Sequence, residues 1–114
     1  MSRSTSSRSE PVPLLGGLCV AFDAVESLRR QWACELGPHG VRFVTIKTGG
    51  VPETIPGNFA GRDDIVAGIE KAALLNRTAT LADVGDVAAF VASDHARTMT
   101  SSTVNISCGA LVDY

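Results

Sequence analysis

The sequence predicts an α/β fold of about two parallel strands and three helices, and three observations predict it. Ala21, Val25, Leu28, Trp32 and Leu36 recur at spacings of three and four, the apolar stripe of an amphipathic helix. The run VRFVTIK, Val41 to Lys47, follows after a short turn; it is mostly apolar and bounded by Gly40 and Gly49-Gly50, as a largely buried strand is. Two more helical stripes and a last alternating run before Gly109 then complete the pattern.

In chain order, residues 1–13 are rich in Ser, Arg and Pro and hold one aliphatic residue besides Met1, so they read as a disordered or loop-like leader to the α/β segment 14–114. Gly16-Gly17 marks a turn, and the first helix runs from about Cys19 to Leu36. Gly37 at the C′ position can close it in the left-handed conformation, and Pro38 cannot continue it. Asp23, Glu26 and Arg30 form its polar face, Glu26 to Arg30 making an i,i+4 pair worth about 0.3 kcal/mol, with Arg29 extending the charged surface. The segment TGGVPETIPGNFAGR is a loop, long enough to be a binding loop or lid. A short helix follows over DDIVAGIEKAALL, its acidic residues at the end the helix dipole favours. Thr80 and Asp83 form a capping box with Asp in place of Glu, ahead of a third stripe at Val84, Val87, Ala88 and Val91. The final strand is TVNISC.

The 114 residues, 45% hydrophobic and 19% charged, describe one soluble domain of ordinary composition. A net charge of −2 with scattered cations offers no basic stripe to a nucleic acid. No apolar run reaches the roughly 20 residues that span a bilayer, so no membrane partner is expected and the cytoplasm is the expected compartment. Cys19, Cys34 and Cys108 have no metal-site spacing with His39 and His95, and read as reduced thiols. Cys34 reads as a small core residue. Cys19, near a helix start, reads either as a thiolate favoured by the dipole or as a small residue packed against the glycine turn.

The stretches AVESLRRQWACELGPHGVRFVTIKTGG and TLADVGDVAAFVASDHARTMTSSTVNISCG resemble the C-terminal half of the short-chain dehydrogenase/reductases: the catalytic helix with its following strand, and the last helix with the final strand. The resemblance implies a truncated Rossmann-like half domain, descended from NAD(P)-dependent oxidoreductases of alcohols and carbonyls. In that family a tyrosine exchanges a proton with the substrate oxygen, a lysine one helical turn later lowers its pKa, and an upstream serine orients the oxygen. Aligned on AVES, the tyrosine position is Leu18 and the lysine position Phe22, and neither transfers a proton. The serine's place falls at Thr5, beside Ser4 and Ser6. Tyr114, the sole tyrosine, is far from it in sequence. The G-x-G-x-x-G turn that receives a pyrophosphate is absent from the sequence, so no cofactor is expected for this chain alone, although the family implies NAD or NADP. Gly49, Val51 and Thr54 match the family's loop after the sixth strand and are vestigial cofactor contacts by resemblance; by their residue types alone they read as a glycine turn and a surface threonine.

Two strands and three helices leave an apolar face and a strand edge uncovered, so the fold is expected to be completed by oligomerisation, through helix 19–36 or the open edge. Three functions follow as expectations: a dehydrogenase-like protein inactive or incomplete on its own; a small esterase or lactonase using a Ser or Cys nucleophile with His39 or His95; or an assembly module built on the first helix. No metal is expected.

Overall fold

The computed structural model describes Leu14 and residues 16–112; the leader, Leu15 and the last two residues lie outside the described set. The chain is α/β, with α1 over Gly16–Leu36, β1 over Val44–Lys47, α2 over Arg62–Ala72, α3 over Leu81–Ala92 and β2 over Ser102–Asn105. The two strands pair in parallel: the Ser101 amide donates to Phe43 and the Ile106 amide to Lys47, so bonded positions climb together along both. Residues group into two compact units, one of residues up to Thr45 with Thr98–Thr103, the other of Ile46–Arg97 with Val104–Val112.

In the first unit α1 starts at Gly16, so the glycine pair belongs to the helix and is no turn. Nothing stands within 4 Å of the Cβ direction of either glycine, and helical backbone costs Gly only about 1 kcal/mol relative to Ala. The helix ends at Leu36, but the left-handed residue is Gly40 rather than Gly37. Gly37–His39 tightens into a 3₁₀ turn, after which the Val41 amide donates to Leu36 (3.3 Å) and the Gly40 amide to Gly37 (2.9 Å), the two bonds of a Schellman closure.

The charged pair of α1 also departs from expectation. Glu26 pairs with Arg29, not Arg30, and both are buried, each 8% exposed. Arg29 donates from Nε (3.2 Å) and Nη2 (2.9 Å) to one Glu26 oxygen, and the Thr45 hydroxyl of β1 donates to the other. Arg29 Nη1 reaches the Ser101 hydroxyl at 3.4 Å. The polar network is thus the inward contact of α1, and the apolar stripe of Leu18, Phe22, Val25, Leu28, Trp32 and Leu36 is exposed. Cys34 is exposed as well, not a core residue, because it sits on the side of the helix away from Glu26 and Arg29. Among the described residues Trp32 has an aromatic neighbour in Phe43, at 5.8 Å between ring centroids.

In the second unit the apolar residues that are buried are Val51, Ala79 and Ala96, joined by Ser107. The Thr80–Asp83 capping box forms as the sequence predicts: the Asp83 amide donates to Thr80 Oγ1 (3.1 Å) and the Thr80 amide to Asp83 Oδ2 (2.9 Å). Helix α2 stops at Ala72, three residues before the expected end, where the Leu75 amide turns to the Cys108 carbonyl at 3.0 Å. β2 is shorter than TVNISC because Asn105 and Ser107 fold the chain back. The Ser107 amide donates to Asn105 Oδ1, the Asn105 amide group donates to the Leu111 carbonyl, and Cys108 is left-handed at φ 54.

Glu26→Ala leaves a buried guanidinium without its counter-charge and is expected to cost about 3–5 kcal/mol in urea unfolding, whereas the joint change Glu26→Leu with Arg29→Met is expected to be near neutral. Thr80→Ala removes the cap and is expected to cost about 1 kcal/mol. The Thr80 amide, then the Thr80 hydroxyl and Arg77, hold the Asp83 carboxyl below its ordinary value against a smaller opposing effect of burial. A depressed native value means that this part of the cap's stabilisation is present above the unfolded carboxylate range and is lost as pH falls through the native value. Asp83→Asn should therefore flatten the acid limb of a stability-against-pH curve.

Candidate functional site

The two positions that the resemblance marks for proton transfer, Leu18 and Phe22, are carried by α1 in the first unit. Leu18 and Phe22 lie one helical turn apart on the same face, 47% and 53% exposed. A hydrocarbon at both positions offers no proton and no charge to tune one. Glu26, the carboxylate one turn beyond Phe22, does not replace them, because both its oxygens are engaged by Arg29 and Thr45. Ser4, Thr5, Ser6 and Tyr114 lie outside the described residues.

The loop positions belong to the second unit, where they follow β1. A Cβ on Gly49 would stand 2.7 Å from the Ala110 Cβ and 3.0 Å from that of Ser107, and one on Gly50, at φ +112, would meet Ile69 at 2.8 Å. Both glycines are therefore required by contact with the chain's own atoms. Val51 is buried and opens a 3₁₀ turn over Pro52–Thr54; its carbonyl accepts from both the amide (2.9 Å) and the hydroxyl (2.7 Å) of Thr54. Thr54 is the exposed member of the three.

The loop residues by themselves do not fit contacts to a nicotinamide cofactor: the glycine faces are filled from within and Thr54 spends its proton on Val51. Among the described residues no three His, Cys, Asp or Glu come together as metal ligands, and no helix is long and apolar enough to cross a membrane. His39 and His95 are both exposed. Cys19 is half-buried in the first turn of α1, with helix rather than a glycine turn before it.

Two residues that organise these positions escape sequence reasoning. Arg29 competes with Arg30 for Glu26 at helical spacings that pattern alone does not separate. Arg62 reads only as the last residue of a loop.

The family described as enoyl-(acyl carrier protein) reductase matches residues 4–110. The chain belongs to the short-chain dehydrogenase/reductase family. It is 32% identical over 98 residues to the enoyl-(acyl-carrier-protein) reductase (NADH) FabI of Haemophilus influenzae, a match covering 86% of this chain and 37% of that protein. Short-chain dehydrogenase/reductase SDRA of Arabidopsis thaliana is 33% identical over 90 residues, 79% of this chain and 35% of that one. Among solved structures, the enoyl-(acyl-carrier-protein) reductase of Anaplasma phagocytophilum in complex with NAD superposes with a TM-score of 0.78 at 28% identity, covering 90% of this chain and 39% of that chain. The chain thus spans little more than a third of the length of these family members. Their fold confirms the Rossmann-like α/β expectation.

Gly49→Ala separates packing from ligand roles: it is expected to cost about 1–3 kcal/mol in thermal unfolding with no ligand present, through contact with Ala110 and Ser107. A variant as stable as the parent would show that the glycine does not serve packing.

Proposed function

We propose that this chain acts as a scaffold-forming member of a short-chain dehydrogenase/reductase-type assembly and that it transfers no hydride on its own. The observation that carries the reading is the pair Leu18 and Phe22: the helix that would hold the acid/base groups is retained, while both groups are hydrocarbon. By its name the Haemophilus influenzae relative is an enoyl-(acyl-carrier-protein) reductase (NADH), and the Anaplasma phagocytophilum structure is a complex with NAD, so an NAD(P)-linked reductase is the ancestry that the likeness supports. Gly49 and Val51 have become packing residues in this reading, leaving Thr54 as the vestigial contact.

The same helix supplies the assembly surface. Leu18, Phe22, Val25, Leu28, Trp32 and Leu36 expose an apolar strip along its length beside the buried charged pair, and burial against another copy would cover it. The proposed compartment is the cytoplasm. His39 and His95 are both exposed, and the esterase or lactonase reading rests on residue types alone.

Fluorescence titration of the purified 114-residue chain with NADH tests the first half of the proposal. No saturable binding in the micromolar range and no NADH oxidation with an enoyl thioester are expected, and either one overturns it. Light scattering tests the second: Trp32→Asp is expected to convert an oligomer to monomer, and an unchanged mass removes α1 as the interface.

A further inference from the structure

Arg62 opens α2, and its side chain turns back over the loop that precedes it. Nε donates to the Ile55 carbonyl and Nη2 to the Pro52 carbonyl, both at 3.3 Å. Those two carbonyls bracket the turn that presents Thr54, and the Pro52 oxygen accepts the Ile55 amide as well, at 3.1 Å. Within the loop the Phe59 amide donates to Pro56 (3.0 Å) and the Arg62 amide to Phe59 (3.1 Å). The excursion from Pro52 to Arg62 therefore closes on itself, and one guanidinium joins its two ends.

The far limb of this loop has little else to hold it. Phe59 is exposed, and nothing stands within 4 Å of the Cβ directions of Gly57 or Gly61. Glu53 makes an outward tie, a 3.4 Å contact from the Leu81 amide at the start of α3. A planar guanidinium spans two carbonyls at once, which a lysine ammonium on a flexible stem does poorly.

We infer that Arg62 is a positioning residue that latches the loop 52–62 and holds Thr54 in its turn, and that releasing it frees the loop while the rest of the unit stays folded. The latch concerns the loop named in the proposed function but stands whether or not the chain binds NADH.

Amide hydrogen exchange on the full chain tests it. In Arg62→Gln the amides of Thr54 and Ile55, which donate to Val51 and Pro52, are expected to exchange about tenfold faster, while those of Val84 in α3 and Ile106 beyond β2 keep their rates. Arg62→Lys keeps the charge and should leave most of that increase in place. Unchanged exchange at Thr54 and Ile55, an equal rise at Val84 and Ile106, or full protection in the lysine variant overturns the latch. Nuclear relaxation of the Arg62 Nε–H in the unaltered chain probes the latch without a substitution. Motion as restricted as the backbone supports it, and the free motion of an unattached arginine side chain overturns it.

Discussion

The first unit is organised around the ion pair Glu26–Arg29. It is buried, it engages both carboxylate oxygens, and through Thr45 and Ser101 it joins α1 to β1 and to the entry of β2. Burying two charges is costly, and attraction offsets the cost only when geometry and hydrogen bonds are good. Here the fork of Arg29 and the Thr45 hydroxyl supply them. A pair of this kind adds less to stability than apolar packing would, but it fixes one rotation of the helix about its axis. In that rotation the helix buries Glu26 and Arg29, while the apolar residues beside them on the helix surface stay 37–58% exposed.

The second unit achieves close contact by a different device. Gly49 and Gly50 let the chain leaving β1 approach Ala110, Ser107 and Ile69 more closely than any Cβ permits. Val51 is buried directly after them, and the turn it opens is tied internally by Thr54 and across its length by Arg62. A loop rich in Gly and Pro thus has an ordered backbone without a conventional helix or strand. The positions that family resemblance marks for a cofactor are, in this chain, the ones that hold the loop to its own unit.

The candidate site was partly legible in the residues. Resemblance alone marks Leu18 and Phe22 as the acid/base positions, and neither residue type carries an exchangeable side-chain proton. The roles of Gly49 and Gly50 were not legible, because a glycine required by a neighbouring side chain and one required by a ligand look the same in sequence. Glu26 with Arg30 was a reasonable pairing on helical spacing, yet Glu26 with Arg29 is equally compatible with it. The neighbours Thr45 and Ser101, distant along the chain, decide between them.

Local rules account for the α/β character, the order of the elements, the Thr80–Asp83 cap and the end of α1 near the Gly-Pro-His-Gly turn. Periodicity, capping chemistry and turn residues act over a few positions, and such effects are written directly in neighbouring residues. Tertiary contact decided which face of α1 is inside, through Thr45 and Ser101, and that Gly49 and Gly50 serve contact with Ala110, Ser107 and Ile69. Both depend on groups far apart in sequence competing for the same hydrogen bonds or the same space, and no local pattern ranks those competitors.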